Sequence, residues 1–175
     1  KYEYSLFGDY QYKNFLCAYE VLKYLNIDEK IIQEAVKKVV WQCRFEVFSK
    51  EPLVIFDGAH NLAGVDELTK IISQHFSKDE VTILVSILKD KDRKSMFKRL
   101  NEISNKIILT SIPDNPRAST AKELYDYVEV ENKNDFEYEE DPIKAYKLDL
   151  SQKRKGTVCC GSFYILIKLK EGLNG

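Results

Sequence analysis

Charged and polar side chains follow several short apolar runs of this sequence, in positions where they can bind a ligand. Asp57 and His60 follow one run, and Lys91, Arg117 and Ser162 come after three others. A carboxylate behind a strand can accept hydrogen bonds from ribose hydroxyls, whereas a guanidinium offers two parallel donors to a carboxylate or phosphate. These residue types predict a site for an anionic small molecule, with a nucleotide among the candidates.

The loop from Asp57 to Asn61 is the most informative of these segments. Asp57 and Gly58 form a common turn pair, which is the structural alternative to a binding role. Gly58 and Ala59 would let a flat ring approach the backbone. His60 sits where an imidazole can stack on a base or hydrogen-bond a substrate, whereas Asn61 is expected to cap the following helix.

The remaining candidates have structural alternatives of their own. Lys91 and Arg117 can be surface charges, or they can recognise an anion. Ser162 can cap the last helix, or the N-terminus of that helix can bind an anion. His75, the second histidine, lies late in a helix, and we expect it at the surface.

These segments can form one site only if the fold brings them together. The hydrophobic pattern predicts such a fold. From Phe45 onward, short apolar runs alternate with helical patterns, which is typical of an α/β fold with a mostly parallel sheet covered by helices on both faces. Such sheets place their ligands at the carboxyl ends of the strands. Two amphipathic helices, 10–25 and 28–39, precede the sheet. The predicted strands are 53–56, 81–85, 106–110, a weak one near 136, and 157–160, and the predicted helices are 63–76, 93–103, 121–127, one after Pro142, and 163–169.

Composition narrows the class of protein. Lys and Arg number 27 against 28 Asp and Glu, so the chain lacks the positive charge of a nucleic-acid binder. No apolar run approaches the roughly 20 residues that span a membrane. The four cysteines include the neighbours Cys159 and Cys160 in an apolar run, so we expect free thiols, a buried strand and a reducing cytoplasm. The acidic stretch 129–141 is expected to face solvent.

Several catalytic motifs are absent from the sequence. It contains no GxxxxGK[ST] phosphate loop, no GxGxxG, no HExxH and no nucleophile elbow. An enzyme that uses ATP must grip phosphates and Mg²⁺ somewhere. The chain also begins at Lys1, without an initiator Met or a signal pattern. We therefore expect it to be a piece of a longer protein.

An ordered set of motifs resembles one known family. Residues 57–61, D-G-A-H-N, match the most specific loop of that family in full. Over essentially its whole length, the chain resembles the C-terminal part of folylpolyglutamate synthase/dihydrofolate synthase, a branch of the Mur ligase superfamily. The other matching pieces, in family order, are 8–14 (resembling G-x-H-Q-x-x-N), 41–46 (resembling W-P-G-R-x-E), 90–92 (D-K-D), Arg117-Ala118 and Gly161-Ser162.

This resemblance implies a Rossmann-like domain over 45–175, preceded by the tail of a central ATPase domain over 1–44. It implies a ligase that uses ATP to activate a carboxylate as an acyl phosphate, which the amine of L-glutamate attacks to give an amide, ADP and phosphate. The carboxylate would belong to a tetrahydrofolate, to dihydropteroate, or to both. The phosphate loop and the Mg²⁺ ligands would lie upstream, so this chain alone is expected to be inactive.

The resemblance also implies partners and binding residues. The partners would be ATP, L-glutamate, the folate substrate and the rest of the same chain, with no nucleic acid and no membrane, and a monomer is expected. No metal ligand is expected within this chain. The residues expected at ATP are Asn14 near the base, Arg44 near the phosphates, Asp57 near the ribose, and His60 beside the adenine or the glutamate. The candidates for the glutamate pocket are Lys91, Arg117 and Ser162.

Three positions depart from the family pattern. Tyr10 stands where His is usual, Gln42-Cys43 replaces Pro-Gly, and Ser86 stands where Gly is often found. Two other interpretations stay open. The missing phosphate loop allows a non-catalytic, Rossmann-like nucleotide-binding module. A Mur-type ligase for another amino acid or a peptide is also possible, although the D-G-A-H-N loop weighs against it.

Overall fold

The computed structural model describes residues 6–129, 133–150 and 154–173. The strands are Glu46–Lys50 (β1), Leu53–Phe56 (β2), Val81–Val85 (β3), Ile107–Thr110 (β4), Phe136–Glu139 (β5) and Gly156–Cys160 (β6). The helices are Asp9–Tyr24 (α1), Glu29–Lys38 (α2), Leu62–His75 (α3), Arg93–Ile103 (α4), Ala121–Tyr127 (α5), Pro142–Leu150 (α6) and Phe163–Leu173 (α7). A short 3-10 helix, Lys133–Asp135, precedes β5.

The six strands form one sheet in the order β1-β2-β6-β3-β4-β5. The pairs β2–β6, β6–β3, β3–β4 and β4–β5 are all parallel. The central strands β3 and β6 are buried at every residue, as expected for strands that helices cover on both faces. The predicted α/β fold with a mostly parallel sheet is therefore confirmed.

Alternate residues of β6 face the two sides of the sheet, because strand side chains point in opposite directions in turn. Val158 and Cys160 belong to the core that includes side chains of α3, α4 and α5. Cys159 belongs to the opposite core, which includes side chains of α6 and α7. The expected buried-strand setting of Cys159 and Cys160 is confirmed, with the two thiols on opposite faces.

β1 is an edge strand that runs antiparallel to β2, and it is not among the strands predicted from the sequence. Its residues are half-buried or exposed, and it begins at Glu46 and ends at Lys50. Charged residues are common on edge strands, where they discourage pairing with other chains. The segment therefore lacks the continuous apolar run that marks the central strands. Residues 39–45 form the linker between α2 and β1, and this linker contains Arg44 and Phe45. β1 therefore anchors the end of the linker at which these two residues lie.

The two predicted helices before the sheet are present as α1 and α2. Asp28 caps α2 by accepting a hydrogen bond of 2.8 Å from the backbone N–H of Lys30. Each of these helices buries one residue, Gln11 in α1 and Ile32 in α2. Many of their apolar side chains are exposed to solvent. No helix in the described part of the chain is long and apolar enough to cross a membrane.

The carboxyl ends of β2 and β6 lie side by side at one edge of the sheet. Several of the candidate site residues follow these strand ends. Asp57 N–H donates to the Cys159 carbonyl (3.0 Å), and Gly161 N–H donates to the Ala59 carbonyl (2.8 Å). Gly161 has φ 96°, and a Cβ there would lie 2.5 Å from the carbonyl oxygen of Ser86. Glycine is therefore required at the point where the chain leaves β6.

We expect Gly161→Ala to lower the free energy of unfolding by at least about 2 kcal/mol. The positive φ alone costs roughly 1–2 kcal/mol for a residue with a Cβ, and the crowding oxygen belongs to the backbone. Urea unfolding followed by circular dichroism measures the change. Gly156→Ala, at the other end of β6, is the matched control, because the nearest atom to its Cβ would belong to the Leu53 side chain at 3.3 Å, and the nearest backbone atom would be at an ordinary contact distance of 3.6 Å. Equal losses in the two variants would contradict this account of the turn.

Candidate functional site

A cavity of about 650 Å³ lies between α1, α2, the linker before β1 and the start of α3. Much of its wall is apolar, with Phe15 and Ile32 among the side chains that form it. Asn14, Arg44 and Asp57 line the same cavity. Ligand sites in proteins are typically concave and mostly apolar, with a few placed polar groups. Three of the four residues that the family resemblance assigns to ATP are thus brought together.

The Asp57 carboxylate joins the linker to the loop that follows β2. Its Oδ2 atom accepts a hydrogen bond from Phe45 N–H, and its Oδ1 atom accepts one from Ala59 N–H, each at 2.8 Å. The side chain is buried, with 6% of its surface exposed. Burial raises the pKa of this carboxyl, while the two N–H groups and the Arg44 charge act to lower it. One side chain therefore fixes two backbone segments at the cavity wall.

The linker backbone on either side of Arg44 has an unusual conformation. Cys43 has φ 58° and Phe45 has φ 48°, in the left-handed region that few residues other than glycine adopt. Cys43 N–H donates to Glu46 Oε2 (2.7 Å), and Gly58 N–H donates to the Cys43 carbonyl (2.7 Å). Strained backbone persists where its surroundings determine it. These bonds, with the one that Phe45 N–H donates to Asp57, hold the two residues that flank Arg44.

Cys43 also shows how the chain accommodates one departure from the family pattern. The pattern has Gly at this position, and the left-handed φ of Cys43 is a conformation that glycine adopts readily. Glu46 supports the turn while Lys170 Nζ donates to both Glu46 carboxylate oxygens at 2.8 Å. The segment before Arg44 therefore keeps a defined geometry without the glycine.

Arg44 and His60 both lie against the ring of Phe163. Arg44 Cζ is 5.3 Å from the ring centroid, and the imidazole centroid is 5.8 Å from it. His60 Nδ1 donates to the Gly58 carbonyl at 2.8 Å, since a carbonyl can only accept. His60 does not line the cavity, and its contact with ATP or glutamate stays a prediction. Phe163 is not among the site residues predicted from the sequence, where it has the pattern of an ordinary apolar helix residue.

Asn14 lies on α1 and lines the cavity directly. It also belongs to a short chain of hydrogen-bonded polar side chains. Its Nδ2 atom donates to Gln11 Oε1 (3.0 Å), and Gln11 Nε2 donates to the Tyr10 hydroxyl (3.3 Å). Burial raises the pKa of Tyr10, and the negative charge of Asp57 raises it further. Tyr10 and Gln11 line the cavity too, although we did not select them from the sequence. Their positions within the 8–14 motif are the sequence feature that could have identified them as site residues.

Lys91 and Arg117 both form ion pairs with the Asp90 carboxylate. Arg117 Nη2 lies 2.7 Å and Lys91 Nζ lies 3.3 Å from Asp90 Oδ2. Lys89 N–H donates to the Arg117 carbonyl (2.9 Å), which ties together the loops that follow β3 and β4. The hydrogen bond from Arg117 holds the pKa of Asp90 below its usual value. Neither cation lines the cavity, and their role in glutamate binding stays a prediction.

Two residues at strand ends act as helix caps. Ser162 Oγ accepts a hydrogen bond of 3.2 Å from Tyr164 N–H at the start of α7, and Asn61 Oδ1 accepts one of 2.8 Å from Gly64 N–H in α3. The structural interpretation of both residues is therefore confirmed. Ser162 is 2% exposed, and its assignment to the glutamate pocket stays a prediction. His75 ends α3 and is exposed, as expected.

The side chains in this cavity fit a nucleotide. A guanidinium suits phosphate, a carboxylate suits ribose hydroxyls, and Arg44 and Asp57 place both groups in one cavity. In residues 6–129, 133–150 and 154–173, no group of three or more His, Cys, Asp or Glu side chains is placed to hold a metal ion. The implied Mg²⁺ is therefore not assigned to any described residue.

Fold and site together define an α/β domain with a nucleotide-sized cavity between its sheet edge and two preceding helices. Residues 43–163 match the family described as Mur ligase, glutamate ligase domain. The chain belongs to that family.

Named relatives and solved structures agree with this assignment. The chain is 33% identical to dihydrofolate synthase/folylpolyglutamate synthase of Bacillus subtilis, over 97% of this chain and 40% of that protein. A structure of Mycobacterium tuberculosis folylpolyglutamate synthase complexed with ADP and AMPPCP matches with a TM-score of 0.85 and 22% identity, over 98% of this chain and 41% of that one. The Yersinia pestis bifunctional enzyme complexed with AMPPNP and Mn matches with a TM-score of 0.73 and 22% identity, over 85% and 35%. These structures share the fold, and the chain spans about two fifths of the B. subtilis relative's length.

We expect Asp57→Ala to lower the free energy of unfolding by at least about 2 kcal/mol. Two buried N–H groups lose their acceptor, at about 1–3 kcal/mol each, and removing a buried charge offsets part of that loss. Urea unfolding measures the change. Asp126→Ala is the matched control, because Asp126 is an exposed residue of α5 that pairs with Lys122, and it should change stability by less than about 0.5 kcal/mol. Similar values for both variants would show that Asp57 does not hold the linker.

Proposed function

We propose that this chain is the C-terminal part of a longer ATP-dependent ligase that joins L-glutamate to a folate substrate. The observation that carries the proposal is the single cavity lined by Asn14, Arg44 and Asp57. These are three of the four residues that the folate-ligase motifs assign to ATP. The similarity to a named dihydrofolate synthase/folylpolyglutamate synthase supports the choice of substrate. The ADP and AMPPCP of a relative with the same fold support the choice of nucleotide.

The proposed reaction has two steps. The γ-phosphoryl group of ATP is transferred to the carboxylate of the pteroyl substrate, which gives an acyl phosphate and ADP. The amine of L-glutamate then attacks the acyl carbon, so an amide bond forms and phosphate leaves. The substrate is a tetrahydrofolate, dihydropteroate, or both. Within this scheme, the described residues bind and orient the nucleotide and the incoming amino acid.

Arg44 is the residue that we assign to the phosphates. Its guanidinium is always charged, and in the described part of the chain no carboxylate forms an ion pair with it. Asn14 offers an amide donor and acceptor to the base. Asp57 can accept from the ribose hydroxyls, because each of its oxygens keeps a second lone pair beside its backbone hydrogen bond. His60 completes the proposed set, near the adenine or the glutamate.

The glutamate pocket is proposed at the loops that follow β3, β4 and β6. Lys91 and Arg117 share the Asp90 carboxylate as a partner, which keeps two cations close together before a substrate arrives. A carboxylate of L-glutamate could take the place of Asp90 on Arg117. Ser162, at the N-terminus of α7, is the third candidate for this pocket.

The upstream part of the protein is proposed to supply the phosphate grip and the Mg²⁺ ligands, so the chain alone is inactive. We place the domain boundary between 44 and 45, with 1–44 as the tail of the central ATPase domain and 45–175 as the glutamate ligase domain. The exposed apolar side chains of α1, α2 and the linker support this division, since a central domain would cover them. They include Tyr24, Ile31, Val40 and Trp41. We propose a cytoplasmic monomer, consistent with four free cysteines.

The full-length parent should release ADP only in the presence of L-glutamate and a pteroyl substrate. In this assay, Arg44→Ala should reduce kcat/KM for ATP at least about tenfold, because a charge-assisted hydrogen bond contributes roughly 1.5–3 kcal/mol. Arg99→Ala is the matched control, because Arg99 is a surface residue of α4 that pairs with Asp66 of α3 and Glu102 of α4. That variant should keep the wild-type value.

Three results would count against parts of the proposal. Turnover without dependence on tetrahydrofolate or dihydropteroate would point to a Mur-type ligase for another substrate. Nucleotide binding without any turnover would point to a binding module. Equal activity of Arg44→Ala and Arg99→Ala would remove Arg44 from the nucleotide site.

Arg117→Ala should reduce kcat/KM for L-glutamate about tenfold or more and leave kcat/KM for ATP unchanged. The reason is the loss of a bidentate donor to a glutamate carboxylate. Initial rates measured while each substrate is varied in turn separate the two effects. A reduction for ATP and glutamate together would indicate that Arg117 only stabilises the loops.

A further inference from the structure

The Phe163 ring contacts three residues around the proposed nucleotide site. Arg44 Cζ lies 5.3 Å from its centroid, and the His60 ring lies 5.8 Å away on a tilted plane. A Cβ placed on Gly58 would lie 2.3 Å from Phe163 Cζ. One aromatic side chain of α7 therefore meets the linker and the loop after β2 at once.

The position of this ring follows from the backbone before it. Gly161 turns the chain with φ 96°, and the Ser162 hydroxyl caps α7 by accepting from Tyr164 N–H. Phe163 is the first residue of that helix. It packs against the core on the α6–α7 face of the sheet and is half-buried. The turn and the cap fix the place from which the side chain starts.

A glycine at position 58 leaves room for the Phe163 ring. Its φ is not in the left-handed region, so its backbone would tolerate a side chain. The side chain would collide with Phe163 instead. Gly58 N–H also donates to the Cys43 carbonyl at 2.7 Å. The absence of a Cβ thus lets Phe163 lie close to the loop that is bonded to the residue before Arg44.

The Phe163 ring supports the Arg44 guanidinium without neutralising its charge, which therefore stays available for a phosphate. A guanidinium on a long, flexible side chain has many rotamers, and stacking on an aromatic face restricts them. An ion pair would do the same but would compete with a bound phosphate. Phe163 does not line the cavity, so the ring can hold Arg44 without occupying the space for a ligand.

We propose that Phe163 is a positioning residue for the nucleotide site, which holds the Arg44 guanidinium in place for a phosphate group. The inference rests on the proposed function. It assigns to Phe163 no contact with the nucleotide and an effect that passes entirely through Arg44. A role in packing alone would instead change stability without any link to Arg44.

The test is a double-mutant cycle on the full-length parent, with ADP affinity measured by isothermal titration calorimetry. The four proteins are wild type, Arg44→Ala, Phe163→Leu and the double variant. We expect Phe163→Leu to weaken ADP binding about threefold to tenfold in the wild-type background, as expected for a lost cation–π contact. In the Arg44→Ala background the same change should have no further effect. Phe163→Tyr, which keeps the ring, should restore the wild-type affinity.

Controls separate positioning from packing. Tyr164→Leu removes an aromatic ring at the next position, where the side chain is exposed, and should not change ADP affinity. Thermal unfolding of every variant shows whether the fold is intact. Should Phe163→Leu unfold, Phe163→Met is the second variant, because its flexible, unbranched side chain fills irregular gaps without a ring, and the same pattern is expected of it.

An equal loss of ADP affinity in the wild-type and Arg44→Ala backgrounds would overturn the positioning role. Unchanged affinity of Phe163→Leu, with weak binding by Arg44→Ala, would also overturn it and leave the proposed function standing. A wild-type parent that does not bind ADP would overturn both proposals together.

Discussion

The geometry of the candidate site depends on one buried carboxylate. Asp57 accepts hydrogen bonds from Phe45 N–H and Ala59 N–H, so a single side chain at the end of β2 joins the linker before β1 to the loop before α3. Burial acts against its charge and raises its pKa, and the backbone donors offset part of that effect. Without this acceptor, the left-handed backbone at Phe45 would lose a partner that stabilises it. Arg44 would then lose its fixed place at the cavity.

The parallel sheet matters to the site mainly through its carboxyl edge. β2 and β6 lie side by side, so the segments that follow them must share a small volume. Two glycines make that possible for different reasons. Gly161 supplies a positive φ, and Gly58 supplies room for the Phe163 ring. The linker is thus held on one side by Asp57 and on the other by an aromatic ring, while α1 and α2 close the cavity above it.

Much of this arrangement could be predicted from the sequence, and the exceptions share a cause. The central strands, the helices and the caps at Asn61 and Ser162 are local, because apolar runs and capping residues act within a few positions of the chain. The motif segments also identified three residues that line the cavity. β1 was missed because an edge strand has no continuous apolar run. The hydrogen bond from Phe45 N–H to Asp57, the stacking of Phe163 and the shared partner of Lys91 and Arg117 join segments that are not neighbours in sequence, so no local pattern could show them.

The central claim is that Asp57 holds the linker so that Arg44 faces a nucleotide phosphate. A crystal structure of the full-length parent with ADP tests it most directly. The account predicts the Arg44 guanidinium at about 2.7–3.2 Å from a phosphate oxygen, with Asp57 still accepting from Phe45 N–H and Ala59 N–H. Phosphates bound without contact to Arg44, or a linker released from Asp57 when ADP is bound, would contradict it.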